Sequence, residues 1–246
     1  MAWNVQELQI AIFAPSATDV SATACYEALL GEECITSQTN KFARPDKPFL
    51  AQASGQIGET EVTVQTQDGR LDIFFRARSS QNFPTLLPFL DAETFMEKVL
   101  SNFEFLSKAT PDCYRQAIVI NDGVEFKNER KAIDAFCEYT GLGIDRSGLI
   151  ATDLNLQFNS RISLESGAQI NRLKRIGVDV MSLYQAPPPF FLVGQTDMHQ
   201  KPIKQSFILN TVSDYNSVPT GVISSSQQRV RFSEMFGMMK EAEANG

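Results

Sequence analysis

From residue 153 to residue 165 the sequence alternates with a period of two. Leu154, Leu156, Phe158, Ile162 and Leu164 are apolar, whereas Asp153, Asn155, Gln157, Asn159, Arg161 and Glu165 are polar. Successive side chains of a strand point to opposite faces, so the pattern predicts a long strand with one face on a core and the other in water. One-sided strands belong to antiparallel sheets, because the strands of a parallel sheet are covered on both faces. A second segment agrees. Residues 61–66 alternate, Asp68-Gly69 supplies a tight turn, and Leu71, Ile73, Phe75 and Ala77 alternate on the return, which predicts a β-hairpin. Leu8, Ile10 and Ile12 give a further strand closed by Pro15, a short apolar run ends at Asn121-Asp122-Gly123, and residues 205–212 give another strand.

Between these segments the period changes to that of a helix. Thr18 or Asp19 is placed to cap a helix carrying Val20, Ala24, Leu29 and Leu30, with Gly31 at its end. From Asp91, Phe95, Met96, Val99, Leu100, Phe103 and Leu106 form a wide apolar stripe. Asn128 opens a helix with Ala132, Ile133, Phe136 and Cys137 on one face and Gly141 and Gly143 at its end. The last helix follows Ser224-Ser225-Ser226 and carries Phe232, Met235, Phe236 and Met239 at helical spacing. Residues 41–48, with two prolines and no period, read as a loop. Helices do not alternate regularly with strands, so the expected class is α+β, mainly antiparallel sheet with long hairpin strands and four to five flanking helices. Residues 1–246 read as a single compact unit. If it divides, the seam is at 141–149, giving packed halves 1–143 and 144–246. No internal sequence repeat is evident.

At 246 residues the chain is long enough to bury roughly 70–75% of its unfolded surface without disulfides or metals. Cys25, Cys34, Cys113 and Cys137 lie far apart and read as reduced, core-forming thiols. The opening residues have no basic segment leading into an apolar run, and no apolar run of about 18 residues is present. The expectation is a cytoplasmic protein without a membrane partner. A net charge of −7 and a pI near 4.9 disfavour a nucleic-acid partner. The densest basic cluster, Arg172, Lys174 and Arg175, reads as a solvated helix or turn face.

The catalytic repertoire is thin. A single histidine, His199, removes two-histidine zinc sites and haem pairs, and no Gly-x-Ser-x-Gly elbow or phosphate-binding loop is present. Gly141-Leu142-Gly143 has Arg146 where a dinucleotide loop needs its third glycine. No catalytic set, metal site or cofactor is therefore expected. One carboxylate pattern stands against this: Pro111-Asp112, a strand-like 116–120, then Glu125-Phe126-Lys127 resembles the PD-(D/E)xK nuclease superfamily. That resemblance implies two carboxylates on adjoining strands holding a divalent metal, with Lys127 steadying the nucleophile.

Asn155, Gln157, Asn159 and Arg161 share one strand face, and Asn171 and Arg172 follow. Amides both donate and accept, which suits recognition of a polar partner or a backbone edge better than mere solubility. These six residues are the predicted partner-binding set. Arg70-Leu71-Asp72, Asn159, Arg161, Ile170-Asn171-Arg172-Leu173 and Asn210-Thr211 together resemble a sporadically distributed group of uncharacterised prokaryotic proteins. The resemblance implies a small prokaryotic protein acting beside a larger enzyme. The expectation is a non-enzymatic binding or assembly subunit, acting through sheet edges and an apolar C-terminal helix on a protein partner or as a homo-oligomer. The alternative is a metal-dependent nuclease using Asp112, Glu125 and Lys127.

Overall fold

Strand β1 (Asn4–Phe13) leads through a short 3-10 turn into helix α1 (Ala22–Leu30). Four strands follow, β2 (Thr36–Thr39), β3 (Ala51–Ile57), β4 (Thr60–Gln67) and β5 (Arg70–Ala77), and then helices α2 (Ala92–Ser101) and α3 (Phe103–Ala109). The order then begins again with β6 (Arg115–Phe126), α4 (Glu129–Thr140), β7 (Asn155–Ser163), β8 (Gln169–Leu183), β9 (Lys204–Ser217) and α5 (Ser225–Ala244). The structure is a computed structural model that describes residues 3–78, 87–143, 145–183 and 204–244. The nine strands among the described residues join one antiparallel sheet in the order β2-β3-β4-β5-β1-β6-β9-β8-β7.

That order contains a repeat the sequence hides. The first strand of each half lies at the centre, β1 against β6, and each half then crosses by a helix and meanders back from the rim. The chain is two versions of one unit, strand, helix, meander, helix, related by a pseudo-dyad between β1 and β6. Both crossing helices end on a left-handed glycine, Gly31 at φ 74° and Gly141 at φ 68°, where a residue without Cβ closes the last turn at no steric cost. The boundary between the units falls at residues 110–114. The segment 141–149 instead joins α4 to β7 inside the second unit.

The alternation in the strands decides which face the helices cover. Leu8, Ile10 and Ile12 of β1 line up with Phe75, Ile73 and Leu71 of β5 and with Ile120, Ile118 and Gln116 of β6. All nine are buried. Val62, Val64 and Ala53 extend the row toward the β2 rim, where Tyr26 of α1 packs on it, and Ile176, Val178 and Leu209 extend it the other way, under Ile133 and Phe136 of α4. Gly55 lies so close beneath Tyr26 that a Cβ there would collide with the phenol. The five helices thus lie on one face of the sheet. The α+β class with a mainly antiparallel sheet and five flanking helices is as the sequence predicts.

Several local expectations change. Asn121-Asp122-Gly123 does not end its strand, since β6 runs through it to Phe126. Gly123 marks a close approach, not a turn: a Cβ there would press on the side chains of Gln6, Ile208 and Asn210. The stripe from Asp91 breaks into two helices at Asn102, whose amide donates to the carbonyls of Lys98 and Leu29 at 3.1 Å each. Ser21, not Thr18 or Asp19, caps α1. Arg172, Lys174 and Arg175 sit in β8, which sends Arg172 and Lys174 to the helix side and Arg175 to the other. The apolar stripe of α5 is not free for docking: Phe232, Met235, Phe236 and Met239 are all buried in the main core. His199 and Pro187-Pro188-Pro189 lie outside the described residues.

All four cysteines are free thiols, and three of them are buried. Burial pushes the Cys25 thiol up to about 12, and burial does the same to Cys113 despite a lowering backbone hydrogen bond from Arg115. Titration of the native protein at pH 8 with a chromogenic disulfide should therefore show one fast thiol, Cys34. The other three should react only in denaturant.

Candidate binding site on the open sheet face

The face opposite the helices carries the other half of every alternation. Through the middle of the sheet runs a row with one residue from each strand. From the β7 rim inward it reads Arg161, Asn171, Asn216, Ala117. It continues through Ala11, Asp72, Gln65, Gln52 and Gln38. Five of these nine positions hold amides, and the two central ones hold alanine. An uncovered face on an antiparallel sheet is ordinary. What distinguishes this one is how its polar groups are tied together.

The small side chains of Ala11 and Ala117 leave room for the next row, where Phe13 stands opposite both Arg70 and Arg115. Their guanidinium carbons lie 4.9 Å and 5.1 Å from the Phe13 ring centroid. Two cations share one aromatic ring, and both are partly desolvated, which strengthens attraction to the ring's negative faces. Arg70 is neutralised by Asp72. Its Nη2 donates to Oδ1 at 2.7 Å, and its Nε approaches Oδ2 at 2.7 Å in a close ionic contact that is not an aligned hydrogen bond. Gln9 also donates to Asp72 Oδ1, at 2.8 Å. Asp72 is 0% exposed, so this carboxylate depends wholly on those partners.

On the other side of Phe13 the chain of contacts goes on. Arg115 Nη2 donates to Asn216 Oδ1 at 3.0 Å, Asn171 Nδ2 donates to the same oxygen at 3.2 Å, and Asn216 Nδ2 donates to Asp214 at 3.0 Å. Arg161 Nε reaches Asn171 Oδ1 at 3.4 Å. A single polar network thus crosses from β5 to β7 and spans both units. Arg115 makes no ion pair among the described residues, and its Nε is buried without a hydrogen-bond partner. A second motif repeats the chemistry two rows away, where Arg76 lies 4.4 Å from the Phe74 ring and pairs with Glu7.

Of the six residues predicted from sequence, Asn155, Gln157, Asn159, Arg161 and Asn171 share this face. Arg172 does not: it pairs with the buried Tyr215 and projects to the helix side. Asp153 ends a 3-10 turn before β7. Sequence reasoning missed Phe13, Arg115 and Asn216, the residues that join the two halves of the network. Their signal was positional: each falls in a strand at the parity opposite to the core residues, which becomes usable only once the register is known.

The residues of the nuclease pattern do not come together. Asp112 precedes β6 and Glu125 is the penultimate residue of the same strand, so the ten strand steps from Arg115 to Glu125 alone set them roughly 33 Å apart at ~3.3 Å per residue. Asp112 accepts from the Ser16 hydroxyl and amide. Burial pushes its carboxyl up, but the Ser16 bonds outweigh that and hold it below the usual range. Glu125 accepts from the Ser206 hydroxyl at 2.5 Å and lies 3.7 Å from Lys204. Among the described residues no group of three or more His, Cys, Asp or Glu is placed to hold a metal ion, and no helix is long and apolar enough to cross a membrane. Two clefts of about 440 and 430 Å³ open elsewhere, beside α5 and beside the start of α1, and no residue of the network lines either. Comparison with family models, curated proteins and solved structures gives no match, so the site is read from its own chemistry.

Proposed function

We propose that this chain is a non-enzymatic binding subunit that holds a protein partner against the open face of its sheet. The observation that carries the proposal is the network from Asp72 through Arg70, Phe13, Arg115, Asn216 and Asn171 to Arg161. It fixes planar donors and acceptors in place on a face with no covering layer among the described residues. Fixed side chains lose little entropy on binding, and that raises affinity for a given contact area. The face spans nine strands, roughly 40 Å at ~4.8 Å per strand, so a strip roughly 20 Å long along the strands supplies the about 800 Å² per partner of a standard interface.

Composition favours a protein over a nucleic acid. On this face Arg70, Arg76, Arg115, Arg161 and Arg175 are matched by Glu7, Glu61, Asp72, Asp179 and Asp214. Such a balanced surface has no phosphate-attracting field. Arginine and aromatic side chains are enriched at protein interfaces, where lysine is depleted. Asp72 and Glu7 neutralise Arg70 and Arg76, which leaves Arg115 as the central anchor for an acceptor on the partner.

The test is co-purification from the native cells with the immobilised chain as bait. Arg115→Ala combined with Asn171→Ala is expected to reduce retention of the specific partner by tenfold or more. Glu97→Ala combined with Lys131→Ala, on the exposed side of the helix layer, should leave it unchanged. Equal retention by both variants, or no specific partner at all, would refute the reading.

A further inference from the structure

The two rims of the sheet are unlike. On one side the sheet ends in β2, four residues long, and shortness is one of the ways natural sheets blunt an edge. On the other it ends in β7, nine residues long, paired with β8 at every position without a register shift. β7 contains no proline and no lysine, and Arg161 is its one charge. No described strand pairs with its outer side, so a row of backbone N–H and C=O groups stands open there. Phe158, on the helix side of the same strand, is 44% exposed. Among the described residues this edge has no proline, lysine, bulge or covering element, with Arg161 its one charge, and such an edge pairs with another strand.

We infer that β7 pairs with β7 of a second copy of this chain, antiparallel, about a dyad normal to the sheet that passes beside Asn159. The strand reads the same in both directions in its polar and apolar pattern, apart from one position. Reversal about Asn159 places Leu156 opposite Ile162, Gln157 opposite Arg161, Asn155 opposite Ser163 and Phe158 opposite Ser160. On the helix side Leu156 meets Ile162 and Phe158 lies against Ser160, and on the open side the Gln157 amide meets the Arg161 guanidinium. Only this register pairs all nine residues. A shift of the dyad to Arg161 would put two like charges directly opposite, which is destabilising. In a twofold contact each residue must suit its own reversed sequence, and in this register no like charges and no charge against an apolar side chain stand opposite.

The chain already uses the same device internally, where β1 and β6 meet antiparallel at the pseudo-dyad between the two units. Pairing at β7 repeats it and yields one continuous sheet with both helix layers on one side and both open faces on the other. The inference is independent of what the open face binds, since it concerns the purified chain alone.

Sedimentation of the full chain across micromolar concentrations tests it, together with two variants. The native chain is expected to be a dimer. Asn159→Lys sets two ammonium groups across the dyad and should raise the dimer dissociation constant tenfold or more. Asn159→Cys should form an intermolecular disulfide on mild oxidation, since directly opposed residues have Cα atoms about 4.5–5.5 Å apart, inside the disulfide range, whereas Thr39→Cys on the β2 rim should not. A monomer at about 100 µM would overturn the inference. So would a dimer indifferent to Asn159→Lys, or crosslinking at Thr39→Cys in preference to Asn159→Cys.

Discussion

Substitution of Asp72 by alanine is expected to lower the free energy of unfolding by about 2–4 kcal/mol, the cost of breaking a buried pair and stranding its partner. The value falls below the top of the usual range because Arg70 is 34% exposed at its side chain and regains water once its carboxylate is gone. Gln9 loses an acceptor at the same time. Asp72→Asn keeps one acceptor oxygen and should cost about half as much. Glu93→Ala, which removes the exposed pair with Lys240, should change stability by less than about 0.5 kcal/mol. Urea denaturation with a shared slope measures all three. Similar values for Asp72→Ala and Glu93→Ala would mean that water satisfies the network's polar groups as well as their partners do and that the network positions nothing.

Phe232→Ala is expected to cost about 3–5 kcal/mol, the range for truncating a fully buried aromatic side chain. Phe232 is 0% exposed and stacks on Phe103 with centroids 5.4 Å apart at 57°. It joins α5, from the second unit, to α3, from the first, so the loss should appear as one cooperative transition at lower denaturant, not as local fraying of the C-terminus. A docking face would behave oppositely: the substitution would leave the isolated chain as stable as before. Thermal unfolding followed by circular dichroism separates the two outcomes.

The strands with clean alternation were legible in the sequence. The period-two pattern of 153–165 foretold β7, and Asp68-Gly69 foretold the hairpin of β4 and β5, with Gly69 at φ 67°. These readings work because one buried face imposes its spacing on the residues. β8 escaped because its charges interrupt the alternation: Arg172 and Lys174 fall on the helix side near the rim, where Lys174 donates to the Tyr139 hydroxyl at 2.6 Å. Without β8, no register could link Asn171 to Asn216 or to Arg161.

The same limit explains the misreading of Asn121-Asp122-Gly123. Locally it is a turn sequence. In the folded chain Thr211 lies opposite Asp122 and its hydroxyl donates to that carboxylate at 3.5 Å, and Gly123 makes room for Gln6. Contacts from strands about ninety residues away override a local preference. The candidate site was half legible. Asn155, Gln157, Asn159, Arg161 and Asn171 share a face because period and parity are local properties. Their connection to Phe13, Arg70 and Arg115 depends on β1 and β6 meeting at the pseudo-dyad, which no local pattern encodes.

The open face as binding surface is tested most directly by placing a photo-crosslinking residue at single positions and irradiating the chain in its native cells. Positions 65, 171 and 214 lie on the open face, and positions 97, 131 and 233 lie on the exposed side of the helix layer. The predicted result is one adduct of constant mass from the three open-face positions and none from the other three. Adducts from the helix layer, with none from the sheet, would contradict it.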